Sequence, residues 1–172
     1  MKNIFILSGL IPMIMASSRE AVFYVEINKF RYSPIEYMDT YNVPVACTSP
    51  LDKSYKPLSI SSDLESSSAF QASTMSLNEC SEITHDTCDL YCDRFPSCSY
   101  LDRISSFLSG ENHDNITEIL TKGPNNPYHV FHWFLASEGH CEHMISPDVN
   151  SMGANFTRID KNIFVVDFAY IF

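Results

Sequence analysis

The chain contains few basic residues. Its 172 residues include 11 Lys and Arg against 21 Asp and Glu, which gives a formal net charge of -10. Because binding to nucleic acid requires a basic surface, this balance argues against nucleic acid as a partner. It argues equally against electrostatic docking to anionic lipid, which is stabilised by clustered Lys and Arg.

Long apolar runs are also missing beyond the first 15 residues. The run from Ile4 to Met15 is too short to span a membrane, follows Lys2, and precedes the small residues Ala16 and Ser17. This pattern predicts a signal peptide over residues 1–17, with a buried first helix as the alternative. We therefore expect a soluble, secreted mature chain over residues 18–172 that folds as one domain with no transmembrane segment.

All six cysteines lie beyond the expected cleavage site. An even number of cysteines in an exported chain predicts up to three disulfides, whose pairing the sequence leaves open. A zinc cluster of the three central cysteines is the alternative, although their spacing matches no common zinc pattern. The six are Cys47, Cys80, Cys88, Cys92, Cys98 and Cys141.

Two sequons indicate a glycoprotein. Asn115 is followed by Ile and Thr, and Asn155 by Phe and Thr. We expect glycosylation at Asn115, since Asn155 falls in a predicted strand.

Hydrophobic periodicity predicts helices followed by a final pair of strands. Ser62 and Glu65 form a potential capping box for the second helix, and Asn126 is a potential N-cap for the third. We expect the third helix to end at Gly139. The predicted helices cover residues 21–31, 62–80 and 127–137, and the predicted strands cover residues 151–157 and 162–171.

Residues 32–61 contain four prolines and little periodicity, so a long loop is predicted there. Long ordered loops often carry specific functions. We treat the segment as an insertion and as a candidate contact surface for a lipid or a protein.

Three short motifs occur in a fixed order along the second half of the chain. These are Gly110-Glu111-Asn112, then Ser137-Glu138-Gly139-His140, then Met152-Gly153. The combination resembles the CAP superfamily, also called the SCP-like or cysteine-rich secretory, antigen 5 and pathogenesis-related-1 group. The resemblance implies a three-layer α-β-α sandwich of the α+β class with a central antiparallel sheet. It also implies a secreted protein that is more often a binding module than an enzyme.

The resemblance further implies a cleft lined by two histidines and two acidic residues. Glu111 matches the first acidic position, His140 the second histidine, and His85 the first histidine. The second acidic position has no match. His85 and His140 would bind a divalent ion such as zinc weakly, with Glu111 completing the site. In the alternative interpretation, Glu111 and His140 hydrogen-bond each other and stabilise the cleft.

The remaining histidines are not expected to be metal ligands. His129 and His132 fall outside the apolar face of their helix, whereas His113 and His143 lie close to the motifs. No nucleophile elbow is present, so acyl-transfer chemistry is not indicated.

We therefore expect a secreted binding module for an extracellular protein, a lipid or a sterol, with no required cofactor and zinc as a weak occupant. The first alternative is a zinc-dependent, protease-like hydrolase that uses His85 and His140 as ligands and Glu111 as general base. The second is a structural surface protein.

Overall fold

The computed structural model describes residues 18–77, 79–80, 83–123, 125–157 and 162–172; the expected signal peptide lies outside them. No helix among the described residues combines the length and the apolar character needed to span a membrane. In chain order the elements are α1 Arg19–Tyr32, α2 Pro34–Tyr41, β1 Ser59–Ile60, α3 Ser62–Ser76, a 3-10 helix Asp89–Arg94, α4 Tyr100–Phe107, β2 His113–Lys122, α5 Pro127–Leu135, α6 Glu138–Ile145, β3 Ser151–Phe156 and β4 Ile163–Ile171.

The four strands form one sheet in the order β1-β3-β4-β2. Strand β4 pairs antiparallel with both β2 and β3, while the two-residue β1 runs parallel to β3. The predicted α+β class is confirmed, and the two predicted strands are β3 and β4. The sheet is mixed, not purely antiparallel, because β1 enters beside β3 in the parallel direction.

Alternate residues of β4 supply the cores on the two faces of the sheet. Phe164, Val166 and Phe168 pack with apolar residues of α1, α5 and α6. Val165 and Ala169 point the other way, into smaller clusters with residues of α3 and α4. This alternation is the two-residue period of a strand that is covered on both faces. The result is the expected three-layer arrangement.

Arg31 connects α1 to the C-terminal end of α6 and to the segment before β1. It is 1% exposed, and its guanidinium donates to the carbonyl oxygens of Lys56 at 2.7 Å, Met144 at 2.7 Å and Ser146 at 3.1 Å. Two of these carbonyls lie at the end of α6, where helix carbonyls lack partners and the helix dipole favours a cation. Burial lowers the pKa of Arg31 to about 10, so the side chain stays charged at neutral pH.

The predicted loop over residues 32–61 was only partly correct. It contains α2, which begins with Pro34 at its first turn, where the missing N–H of proline costs nothing. The rest is attached to α6: Cys47 is bonded to Cys141, and Glu142 accepts hydrogen bonds from Thr48 and Ser49. Although burial acts to raise it, these hydrogen bonds lower the pKa of Glu142 to about 2.

Two helix ends also differ from the prediction. The N-cap of α3 is Ser61, whose Oγ accepts from the amide of Leu64 at 3.3 Å, so Ser62 is the first helical residue. Gly139 lies inside α6 and does not end α5. Helix α5 ends earlier, at its C-cap Ala136, and Ser137 is the N-cap of α6. The predicted cap at Asn126 is confirmed, since its side chain accepts from Tyr128.

The predicted disulfides are confirmed, and the structure supplies their pairing. The bonds are Cys47–Cys141, Cys80–Cys88 and Cys92–Cys98. Because Cys88, Cys92 and Cys98 are all oxidised, none offers the thiolate that a zinc cluster would need.

Close packing of β3 on α3 generates the first prediction. A Cβ added to Gly153 would lie 2.1 Å from the backbone of Leu64 and Glu65, and a helix backbone cannot move aside as a flexible side chain can. We expect Gly153→Ala to lower the free energy of unfolding by about 3 kcal/mol or more, measured by urea denaturation.

Gly110→Ala is the matched control, since a Cβ at Gly110 would meet no atom within 4 Å. If both variants unfold within about 0.5 kcal/mol of the parent protein, the close contact described here is incorrect.

Candidate functional site

The imidazole of His85 lies over a buried carboxylate. His85 Nδ1 is 2.9 Å from Glu118 Oε1, and the side chains are 48% and 0% exposed, respectively. Gln71 holds the loop of His85 by donating to the carbonyl oxygens of Thr84, His85 and Asp86 at 3.0–3.2 Å. His85 is thus fixed from two sides, with one ring nitrogen engaged.

Arg103 of α4 is the second partner of Glu118. Its Nη2 donates to Glu118 Oε2, and its Nη1 donates to the carbonyl oxygen of His85 at 3.0 Å. Arg103 and Glu118 are both fully enclosed, which makes this a buried, charge-assisted pair. Both oxygens of Glu118 are therefore occupied, one by His85 and the other by Arg103.

A second carboxylate lies directly opposite Glu118 in the sheet. Asp167 is its cross-strand neighbour, is 0% exposed, and has one oxygen 3.8 Å from Arg103 Nη2. Asp167 also faces Ser67, yet neither of its oxygens has a hydrogen-bond partner of ordinary geometry in the described part of the chain. Like charges directly opposite one another in a sheet are destabilising. One cation thus faces two carboxyl groups.

The buried surroundings of Glu118 and Asp167 favour the protonated form of these carboxyl groups. Burial raises the pKa of Glu118 to about 7, although Arg103 acts in the opposite direction. Burial also raises the pKa of Asp167 well above its ordinary range, and the charge of Glu118 raises it further. The two enclosed carboxyl groups are therefore not both fully ionised near neutral pH.

Two more imidazoles line the same region from α6. His140 and His143 lie one turn apart on that helix, and the ring of His140 meets the ring of Phe134 edge-on at 5.0 Å. Burial lowers the pKa of each, and the charge of His85 lowers both further. Burial lowers the pKa of His85 as well. We refer to His85, His140 and His143 as the candidate cleft, and its imidazoles are therefore mostly uncharged at neutral pH.

Glu111 does not occupy the position that the sequence motif suggested. It is exposed in the turn between α4 and β2, and no hydrogen bond or ion pair joins it to His140 among the described residues. The reason is local: α4 ends at Phe107, and the chain must turn before β2 begins at His113. Glu118 is the carboxylate beside His85. The apolar residues after it, Ile119 and Leu120, were the available sign of a buried strand.

The donors present do not form a ready metal site. Within the described ranges, no group of three or more His, Cys, Asp or Glu side chains is arranged to hold a metal ion. Glu118 occupies one ring nitrogen of His85, so this imidazole could offer a metal only its other nitrogen. The expected zinc pair of His85 and His140 thus lacks a third protein ligand.

Comparison with known proteins identifies the family. Residues 25–168 match the cysteine-rich secretory protein family, abbreviated CAP. The chain belongs to the CAP family. No match was found among curated proteins.

Three solved structures illustrate the similarity of fold. An outer surface protein from Borrelia burgdorferi is 22% identical, with a TM-score of 0.63 over 90% of this chain and 93% of that one. A venom allergen-like protein from Schistosoma mansoni is 14% identical, with a TM-score of 0.58 over 91% and 90%. A cysteine-rich secretory protein from Staphylococcus aureus is 13% identical, with a TM-score of 0.54 over 92% of this chain but 40% of its own. At these identities the likeness concerns the CAP fold alone.

The predicted glycosylation site lies on the surface of this CAP domain. Asn115 is exposed and adopts a left-handed φ of 48° where β2 bulges away from the register with β4. Its glycosylation stays a prediction.

The buried carboxyl pair generates a prediction about pH. The folded state keeps a proton on Glu118 up to about pH 7, whereas the unfolded chain releases it near pH 4.5. Stability therefore falls as pH rises through this window. We expect Glu118→Gln to remove this fall, so that its stability relative to the parent protein improves by about 3 kcal/mol between pH 4.5 and 8.

Urea denaturation at several pH values measures this difference, with Glu111→Gln as the exposed control. Because His85 contacts Glu118, its titration is followed by NMR in each protein and subtracted from the comparison. Parallel curves for Glu118→Gln and the parent protein would contradict the proposed protonation.

Proposed function

We propose that this CAP domain is a secreted binding module whose cleft of His85, His140 and His143 recognises an extracellular protein. Three disulfides support an oxidising compartment, and so does the predicted signal peptide. Two proteins of similar fold are described as an outer surface protein and an extracellular protein.

The enclosure of Glu118 is the observation that carries the proposal. A general base must come within hydrogen-bond reach of the proton that it removes. The side chain of Glu118 is 0% exposed, and its two oxygens are bonded to His85 and Arg103. Glu118 therefore holds His85 in place and offers no free oxygen to a substrate. The hydrolase alternative named Glu111 as its base and gains no substitute from Glu118, and the described residues supply no third metal ligand.

A protein partner is favoured over a lipid or a sterol. The segment that was a candidate lipid loop is attached to α6 through Cys47 and Glu142. A groove of about 670 Å³ between α1 and α3 contains carboxylates of Glu20 and Glu65, the latter bonded to Tyr24. These carboxylates make the groove a poorer fit to an acyl chain or a sterol than to a polar ligand. Half-exposed imidazoles are better matched by the polar groups of a protein.

Site-specific photo-crosslinking tests this proposal directly. A photoreactive amino acid at position 143 should form a crosslinked protein product when the oxidised chain is incubated with the extracellular medium of its source. The same amino acid at the exposed position 39 on α2 is the control, and should give no such product. Equal products from both positions, or none from either, would contradict recognition by the cleft.

Zinc calorimetry on the oxidised chain distinguishes the hydrolase alternative from the proposed binding module. Because two imidazoles without a third protein ligand bind zinc weakly, we expect no saturable binding at micromolar zinc. The His140→Ala variant is titrated in parallel. Saturable binding by the parent protein that is lost in His140→Ala would favour a metal-dependent role over the proposed one.

A further inference from the structure

A pocket outside the imidazole cleft lies between α1 and α2. It encloses about 340 Å³ and shares no residue with the cleft. Three tyrosines line it, accompanied by one basic, one acidic and two hydroxyl side chains. The lining residues are Lys29, Tyr32, Ser33, Glu36, Tyr37, Thr40 and Tyr41.

The tyrosine rings form an aromatic floor and rim. Tyr37 is buried, its hydroxyl donates to Glu26 at 2.7 Å, and its ring lies 4.4 Å from the ring of Tyr41. Tyr41 and Tyr32 remain 41% and 73% exposed. The faces of aromatic rings carry partial negative charge, so several rings around one space favour a cation.

The formal charges of the pocket add to this preference. Lys29 Nζ is 2.8 Å from Glu26, a buried carboxylate that neutralises it, and this contact is the main cause of the raised pKa of Lys29. Glu36 is exposed on α2 and has no hydrogen bond or ion pair among the described residues. The pocket therefore keeps one uncompensated negative charge at its rim.

We propose that this pocket binds a small organic ammonium cation of the choline type. Such a ligand combines one positive charge with methyl groups, so it can contact the rings of Tyr32 and Tyr41 while Glu36 balances its charge. An anion would be repelled by Glu36, and an uncharged apolar ligand would gain no attraction from that carboxylate. The proposal is independent of the function proposed for the cleft.

The test compares choline with an uncharged molecule of the same shape. Choline and 3,3-dimethylbutan-1-ol are titrated into the oxidised, isotopically labelled chain and followed by two-dimensional NMR. We expect choline to shift signals of α1 and α2, and the alcohol to bind at least about tenfold more weakly. Equal binding of the two molecules, or shifts confined to other elements, would overturn the proposal.

Four variants test the residues named. We expect Tyr32→Leu and Glu36→Gln each to weaken choline binding about fivefold or more, because one removes a ring and the other the counter-charge. Tyr32→Phe keeps the ring, and Asp148→Asn removes an exposed carboxylate elsewhere, so both should bind as the parent protein does. Unchanged binding by Tyr32→Leu would overturn the aromatic site, and the same spectra show whether each variant is folded.

A separate experiment asks whether the ammonium group belongs to a lipid headgroup or to a free amine. Vesicles of phosphatidylcholine and of phosphatidylglycerol are sedimented with the protein. Sedimentation with phosphatidylcholine alone, reversed by free choline, supports the site and assigns it to a lipid headgroup. Binding of free choline without sedimentation supports the site and assigns it to a free amine. Sedimentation that choline does not reverse would contradict the role of this pocket.

Discussion

The buried hydrogen-bonded pair of Arg103 and Glu118 is the interaction on which the candidate site depends. It connects α4 to β2, and through the carbonyl and ring of His85 it fixes the loop that carries His85. Leaving a buried charge such as that of Arg103 without its partner typically destabilises a protein by about 3–5 kcal/mol. Asp167 adds a second acid to the same enclosed space, which makes a retained proton part of the folded state.

This arrangement gives the cleft its chemical character. The acidic groups are buried, whereas the imidazoles of His85, His140 and His143 remain partly exposed and mostly neutral. A carboxylate with both oxygens occupied stabilises the surface above it and is poorly placed to remove a proton from a substrate. Recognition follows more directly from this geometry than hydrolysis does.

Local sequence signals predicted much of the fold. The apolar run of β4, the cap at Asn126 and the six cysteines depend on neighbouring residues or on simple counting, and each prediction was confirmed. The site was harder to predict, because the burial of Glu118 depends on its pairing with Asp167, which lies far away in the sequence but in the neighbouring strand. A three-residue motif at Glu111 carries no such information. Helix α2 was missed because the four prolines of residues 32–61 indicated a loop, although Pro34 begins a helix there.

The most direct measurement is a ¹³C NMR titration of the side-chain carboxyl carbon of Glu118 in the oxidised, folded chain. We expect a midpoint near pH 7, because burial raises the pKa of this group to about 7 despite Arg103. A midpoint near the ordinary value of 4.5 would show that Glu118 is ionised in the folded chain at neutral pH. That result would contradict the retained proton and the neutral character of the site that depends on it.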